Sequence, residues 1–266
     1  MKPNTDIQIY FRHYSGAITQ YDYMFFDCMA EVPLEEEDLA LQEGWLPDDY
    51  FVPNNGDKNH WYQARQTRIN LKKFEDSKSA KKTRKKCNNI EIKAYKAQEV
   101  NLDVLTNIFD KYIEYKNFKP WSLAPLIKLE KERKFFLVYH STSSEKGGWH
   151  TPIAFTYMRD VGSNSVFSTQ FAWDYSEPKL YLGKYANLAE IDYCIKNNKD
   201  YMYMGMGYEN CCIYKSDYKG FEFWTGQDWS NDVDHYKFLC ERDSKITKTS
   251  DLDKIKRYDD KNYFNK

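Results

Sequence analysis

The chain has 266 residues, a length that suits one large domain or two small ones. It carries 39 lysine and arginine residues against 40 aspartate and glutamate residues, so its net charge is close to zero. No apolar run reaches the length of a membrane-spanning helix, and the N-terminal residues lack the apolar stretch of a signal peptide. These features predict a cytoplasmic protein with no membrane partner and argue against a membrane-spanning one.

The six cysteines do not follow any metal-binding pattern. None belongs to a C-x-x-C pair, and no histidine stands at zinc-finger spacing from any of them. We therefore expect reduced thiols, no metal site and no cofactor. The cysteines are Cys28, Cys87, Cys194, Cys211, Cys212 and Cys240.

The first part of the chain predicts strands around one helix. Residues 5–30 mix aromatic and apolar side chains with a β character. Pro33 opens a helix of about ten residues, with acidic side chains in its first turn, and Gly44 ends it. Residues 61–71 and 90–95 are strand-like.

A basic segment lies between these two predicted strands. From Lys72 to Lys86 the sequence holds eight lysine or arginine residues against two acids, Glu75 and Asp76. The chain as a whole is neutral, so this concentration of charge is local. It predicts a surface loop leading into a short basic helix that contacts a polyanion.

The second part of the chain predicts an α+β fold with a mixed, mainly antiparallel sheet flanked by helices. The order is helix, helix, three strands, helix, strand, short helix, strand, which is typical of the GNAT acyltransferases. Acyl-CoA-dependent members have an Arg/Gln-x-x-Gly-x-Gly/Ala loop after the fourth strand, and no such loop lies between Phe171 and Tyr185. A donor other than acyl-CoA is therefore indicated. The segments, in that order, are about 100–112, 126–132, 135–140, 153–158, 165–173, 181–197, 201–208, 211–220 and 221–229.

Two blocks of the sequence match one family pattern. The first has Arg68-Ile69, four residues, Phe74, three residues, and then Lys78-Ser79-Ala80-Lys81-Lys82. This spacing resembles R-I-x4-F-x3-R-S-Q-R-R in the aminoacyl-tRNA–protein transferases, the group of arginyltransferases and bacterial leucyltransferases. Here lysine replaces each arginine of the second half.

The second block resembles three further patterns of the same family. Leu182-Gly183-Lys184-Tyr185-Ala186 is similar to S-L-G-x-Y-A, and Tyr201 to Gly205 is similar to Y-x-Y-L-G-Y. Cys211 with Tyr214-Lys215 is similar to C-x-x-M-x-Y-K. The chain departs from the family just before Arg68, where the usual cysteine-rich stretch is missing. We therefore do not expect this chain to bind the metal cluster that the family's cysteines imply.

The resemblance implies transfer of an amino acid from the 3′ ester of an aminoacyl-tRNA to an N-terminal α-amine of a protein or peptide. Arg65 and Arg68 are the candidates for contact with an acidic side chain at that N-terminus. Arginyl and leucyl transfer, as in N-degron tagging for protein degradation, both remain open. The ester is already activated, and an α-amine with a pKa near 8 is partly neutral at pH 7, so a strong base is not needed. Positioning, and N–H groups directed at the developing oxyanion, are expected to supply the rate.

The resemblance also implies roles for particular residues. We expect Tyr185, Glu209 and Lys215 to be catalytic, with Asp192 an alternative to Glu209 as partner of the donor's ammonium group. Backbone N–H groups at the start of the helix at Leu182-Gly183 would approach the ester. The other substrate-binding candidates are Arg65, Arg68, Gly205, Tyr208 and Tyr214, and the candidates for contact with tRNA are Lys78, Lys81, Lys82, Arg84, Lys85 and Lys86.

Two other functions fit the same residues. A CoA-dependent GNAT N-acyltransferase would bind CoA where two strands diverge. A relative that has lost its chemistry would bind tRNA without turnover. For the chain as a whole we expect an N-terminal module over residues 1–97 that ends in the basic, tRNA-contacting segment, a GNAT-like transferase domain over 98–242 and a charged tail over 243–266.

Overall fold

The structure, a computed structural model, describes residues 8–15, 24–48, 60–118, 122–123, 133–141, 152–175 and 181–245. Side chains are described from residue 29 onwards within these ranges. The helix predicted at 126–132 and most of the tail predicted from 243 lie outside the described residues.

Twelve strands lie in the described ranges, and most of them fall where the sequence predicts them. They are β1 (Gln8–Ser15), β2 (Met24–Glu31), β3 (Trp45–Pro47), β4 (His60–Gln63), β5 (Gln66–Asn70), β6 (Ile90–Lys96), β7 (Lys134–Ser141), β8 (Pro152–Val161), β9 (Ser165–Trp173), β10 (Tyr201–Met206), β11 (Phe221–Trp224) and β12 (Trp229–Ser230).

Five α-helices and three 3-10 helices accompany these strands. Asn101 and Asp232 begin two of the helices by accepting a hydrogen bond from the backbone N–H three residues on, as N-cap residues do. The α-helices are α1 (Glu37–Gln42), α2 (Lys78–Lys86), α3 (Leu102–Lys116), α4 (Leu182–Lys196) and α5 (Val233–Asp243), and the 3-10 helices are Leu34–Glu36, Leu71–Lys73 and Asn210–Asp217.

The described strands form two sheets. A four-stranded antiparallel sheet has the order β1-β2-β4-β3. An eight-stranded sheet has the order β12-β11-β5-β10-β9-β8-β7-β6. Within the larger sheet β9 and β10 are parallel, and the other recorded pairs are antiparallel. The predicted α+β class, with a mixed, mainly antiparallel sheet flanked by helices, is confirmed.

Both faces of the large sheet are covered, which explains the continuous apolar run of β7. Phe136 and Val138 pack with α3 on one face. Leu137 and Tyr139 point to the other face, where α2, α4 and α5 contribute to the core. Alternate residues of a strand point to opposite faces, so a strand covered on both sides is apolar throughout.

The smaller sheet is joined to the larger one through a third apolar cluster. Leu46 and Trp61 from the small sheet share this cluster with Val161, Phe167 and Tyr203 from the large sheet. The large sheet also takes β5 and β6 from residues before 98, so the two predicted domains both contribute strands to it. The division at 97/98 stays a prediction. No helix in the described part of the chain is long and apolar enough to cross a membrane.

Candidate active site where two parallel strands separate

The site lies where β9 and β10 separate. Their recorded parallel pairing covers only three residue pairs, from Tyr201 with Ser165 to Tyr203 with Phe167. β9 then continues to Trp173, while the register of β10 against β5 shifts next to Gly205. Gly205 has a φ of 72°, in the left-handed region that glycine adopts at little cost. The bulge at this glycine therefore marks the point where the gap opens.

Lys215 fills part of this gap. Its Nζ donates hydrogen bonds to the carbonyl oxygens of Met204 at 2.6 Å and Met206 at 2.7 Å. The carbonyl of Gly205 points to the opposite neighbour, where it accepts from the hydroxyl of Thr67 at 2.7 Å. Alternate carbonyls of a strand face the same side. The two carbonyls that accept from Lys215 are therefore those on the edge of β10 that faces β9. Burial lowers the pKa of Lys215, against the opposing effect of two nearby thiols, those of Cys212 and Cys211.

Two adjacent cysteines lie beside this lysine. The sulfur atoms of Cys211 and Cys212 are 3.9 Å apart in the 3-10 helix that follows β10. A hydrogen bond from Cys211 and the positive charge of Lys215 lower the pKa of Cys212 to about 5. The same hydrogen bond raises the pKa of Cys211. Cys212 is therefore the thiol of this pair that ionises more readily.

This asymmetry predicts selective alkylation of Cys212. At pH 6.5 iodoacetamide should label Cys212 first, because the pKa of its thiol is lower than that of Cys211. The rate should stay nearly constant from pH 6.5 to 8, and peptide mass spectrometry measures it. In the control variant Cys211→Ala the hydrogen bond is lost, so labelling of Cys212 should slow at pH 6.5 and rise with pH. Equal labelling of both cysteines at pH 6.5 would contradict the assignment.

The tyrosines predicted for the site approach it from two elements. Tyr214, in the 3-10 helix, is 46% exposed. Tyr185, in the first turns of α4, packs edge to face on Tyr139 with ring centroids 6.4 Å apart. Burial raises the pKa of the Tyr185 phenol, and the thiol of Cys87 adds to this. Tyr185 therefore stays protonated at neutral pH and keeps a hydroxyl that can donate a hydrogen bond.

The remaining predicted residues lie at the start of α4 and just before the 3-10 helix. Leu182 is buried and begins α4, and a Cβ on Gly183 would meet the ring of Phe171 at 3.9 Å. Glu209 precedes the 3-10 helix, and its Oε2 is 3.7 Å from the sulfur of Cys211. The catalytic and binding roles of these residues stay predictions.

Arg65 is engaged inside the protein. Its guanidinium donates to the carbonyl of Gly207 at 3.2 Å and to Asp243 at 2.7 Å. Its backbone N–H donates to the hydroxyl of Tyr208 at 2.9 Å, and its guanidinium carbon is 4.8 Å from the centroid of that ring. These contacts tie β5 to the end of β10 and to α5. The predicted contact of Arg65 with an acceptor would require the pair with Asp243 to open.

Arg68 is also engaged inside the protein, by one carboxylate and two aromatic rings. Its guanidinium donates to Glu222 at 2.9 Å and lies between the rings of Tyr201 and Trp229, at 4.1 and 3.9 Å from their centroids. Both Arg68 and Glu222 are buried. The sequence could not reveal this pairing, because the two residues are 154 positions apart. A contact between Arg68 and a substrate carboxylate stays a prediction and would have to displace Glu222.

The basic segment forms α2, as predicted. Ser77 begins the helix by accepting from the N–H of Ala80 at 3.1 Å. Ala80 and Thr83 are buried against the protein. Five lysines remain exposed, and we call them the α2 lysine face; they are Lys78, Lys81, Lys82, Lys85 and Lys86.

Arg84 differs from its neighbours in α2. It donates to Asp76 at 2.8 Å and to Asp192 of α4 at 2.9 Å. Arg84 therefore joins α2 to α4, and Asp192, the alternative partner for the donor's ammonium group, already has a cation beside it. Contact of Arg84 with a phosphate stays a prediction that would compete with these two carboxylates.

A buried carboxylate behind the site is absent from the sequence prediction. Glu190 in the middle of α4 is fully buried, and its Oε1 accepts from Thr156 at 2.9 Å. Thr156 in turn contacts the hydroxyl of Tyr139 at 3.1 Å. Burial raises the pKa of Glu190 to about 6. One signal was available: Glu190 lies four residues after Ala186 and four before Cys194, on the apolar face of the helix.

Within the described residues no group of three or more histidine, cysteine, aspartate or glutamate side chains could hold a metal ion. The polar groups of the candidate site are tyrosine hydroxyls, the two adjacent thiols, the Lys215 amine and backbone N–H groups.

Comparison with known proteins finds a family likeness in the middle of the chain. Residues 105–225 match the family model described as "Arginine-tRNA-protein transferase, C terminus". The match covers α3, the separating strands, α4 and the 3-10 helix. It does not include α2, so the Arg68-Ile69 block and the α2 lysine face lie outside the matched segment.

Solved structures show a distant similarity in fold. L-PGS from Bacillus licheniformis is 12% identical, with a TM-score of 0.43 over 70% of this chain and 58% of that one. FemX is 9% identical, with a TM-score of 0.44 over 68% of this chain and 63% of that one. The chain thus spans about three fifths of these two structures. No curated protein sequence matches it.

Proposed function

We propose that this protein transfers an amino acid from aminoacyl-tRNA to the N-terminal α-amine of a protein or peptide. The observation that carries the proposal is the family match over residues 105–225, which spans the gap between β9 and β10 and the residues around it. That match supports the use of an aminoacyl-tRNA donor more directly than it supports any particular acceptor. The N-terminal amine as acceptor, and a cytoplasmic role in protein tagging, belong to the proposal.

The reaction mainly requires the protein to position the amine against the ester carbonyl. The α-amine attacks the ester carbonyl, the carbonyl oxygen gains negative charge, and the 3′ oxygen of the tRNA leaves with a proton. The N–H groups of Leu182 and Gly183 at the start of α4 are suited to the oxyanion. A tyrosine hydroxyl such as that of Tyr185 or Tyr214 is a further donor, and it is protonated throughout the neutral range.

Lys215 has a positioning role in this proposal. Its ammonium group holds the edge of β10 apart from β9 and provides positive charge inside the gap. Positive charge there favours both the oxyanion and the departing 3′ oxygen. Glu209, beside Cys211, is the carboxylate nearest to the thiol pair at which the donor's ammonium group could be held.

A transfer assay tests the proposal. The purified protein is mixed with each of a full set of aminoacyl-tRNAs carrying a labelled amino acid and with peptides that differ in their N-terminal residue. We expect label in the peptides from one donor or a few related donors, and none when the peptide amine is acetylated. Absence of transfer from every donor, together with tight binding of acetyl-CoA, would support the CoA-dependent alternative. Salt-dependent tRNA binding without any transfer would support an inactive relative.

The α2 lysine face should set the salt dependence of tRNA binding. Each lysine that neutralises a phosphate contributes nearly one to the slope of log affinity against log salt concentration. The triple change of Lys81, Lys82 and Lys85 to alanine should therefore lower the slope by about 2 to 3. Electrophoretic shifts at several salt concentrations measure it. The matched control is Lys96→Ala with Lys196→Ala, two exposed lysines outside α2, and an equal loss in that control would contradict the assignment.

A further inference from the structure

Tyr181, the residue immediately before α4, has an unusual conformation for its type. Its φ of 53° and ψ of 35° lie in the left-handed region, which costs a non-glycine residue about 1 kcal/mol or more. Serine, threonine, aspartate or asparagine is usual here because the side chain accepts a hydrogen bond from the helix. The side chain of Tyr181 makes no such bond, and the residue is 56% exposed. Stability of the helix therefore does not explain a tyrosine at this position.

The ring of Tyr181 is connected to the α2 lysine face. Nζ of Lys86, the last residue of α2, lies 4.3 Å from the centroid of the ring. The contact has the geometry of a cation–π interaction. The ring therefore stands at the end of the lysine face, and one residue further along the chain is Leu182, the first residue of α4 beside the gap. Tyr181 lies between the predicted phosphate contacts and the predicted site of the ester.

We propose that Tyr181 stacks on the terminal nucleobase at the single-stranded 3′ end of the donor RNA, while Lys86 binds a neighbouring phosphate. The inference rests on the proposed function, in which the 3′ end of a tRNA carries the amino acid. Unpaired bases are bound by stacking on exposed aromatic side chains, and adjacent lysines bind the backbone that joins them. The exposed ring of Tyr181 supplies the stacking surface for a base. Lys86 beside it supplies the positive charge for the neighbouring phosphate, and the rest of the α2 lysine face continues along the RNA backbone.

Binding of RNA hairpins tests this assignment. One hairpin copies the acceptor stem of a tRNA and ends in CCA, and the second is identical but ends in CC. Tyr181→Ala should weaken binding of the CCA hairpin by about 5- to 150-fold, the effect of losing one stacked base. Binding of the CC hairpin should not change, which also verifies that the variant is folded. Tyr181→Phe keeps the ring and should bind as the unaltered protein does.

The control variant is Tyr115→Ala, which removes another exposed tyrosine, 62% exposed on α3, and should leave binding of both hairpins unchanged. If Tyr181→Ala binds both hairpins as the unaltered protein does, the stacking assignment is wrong and the proposed function is unaffected. If the unaltered protein binds neither hairpin, both the assignment and the proposed function fail. If Tyr181→Ala weakens binding of the acceptor peptide alone, Tyr181 contacts the acceptor and the assignment is again wrong.

Discussion

Replacing Arg68 with alanine should lower the free energy of unfolding by about 3 kcal/mol, because it leaves a buried carboxylate without its main partner. Burial would raise the pKa of Glu222, but hydrogen bonds from Lys73 and Arg68 outweigh it and hold that pKa below its usual value. Lys73 remains 3.0 Å from Glu222 in the variant, but its side chain is 59% exposed, so it compensates only partly. Chemical denaturation measures the change as a lower midpoint.

The double variant Arg68→Met with Glu222→Gln provides the control for this prediction. It removes both charges and keeps side chains of similar volume, so it should lose less stability than Arg68→Ala alone. Lysine at position 68 should restore little, since it cannot lie flat between Tyr201 and Trp229 as a guanidinium does. A loss of less than 0.5 kcal/mol on Arg68→Ala, the usual limit for a surface substitution, would show that the pair contributes little.

The same residue shows what a sequence can and cannot predict about this site. The concentration of lysine and arginine predicted a basic helix, and the spacing of Arg68-Ile69, Phe74 and Lys78 resembled one family pattern. These patterns did not distinguish the roles of the arginines from those of the lysines. Arg68 and Arg84 have carboxylate partners that come from β11 and α4, whereas the lysines of α2 face solvent. Such partners are fixed by tertiary packing, and no local pattern encodes them.

The fold was more predictable than the chemistry, because the spacing of apolar residues along the chain indicates which faces of helices and strands are buried. The alternation of β6 and the apolar spacing of α3 and α4 placed these elements within a few residues of their ends. The lowered pKa of Cys212 was not predictable in this way. It requires Lys215 to enter the gap between β9 and β10, which depends on where two strands separate.

Glutamine at position 190 should stabilise the protein at neutral pH by about 2 kcal/mol. Burial raises the pKa of Glu190 from 4.5 to about 6, and 1.5 pKa units correspond to about 2 kcal/mol. Between these two values the folded state binds more protons than the unfolded state, so stability falls as pH rises from about 4.5 to about 6. Above pH 6 the full cost of the buried charge is present. Glutamine carries no charge and keeps an oxygen that accepts from Thr156, so this part of the pH dependence should disappear.

Unfolding by urea at pH 4.5, 6 and 7.5 measures the effect, and Glu114→Gln, on the exposed side of α3, is the matched control that should change neither stability nor its pH dependence. A Glu190→Gln variant that is less stable than the unaltered protein at pH 7.5 would contradict the argument, because it would mean that the ionised carboxylate has stabilising partners. Confirmation would have a consequence for function. A carboxylate that costs stability, behind a helix whose first turn borders the gap, is the kind of residue that active sites retain for their chemistry. The effect of Glu190→Gln on transfer would then separate a purely structural carboxylate from one that acts on the site.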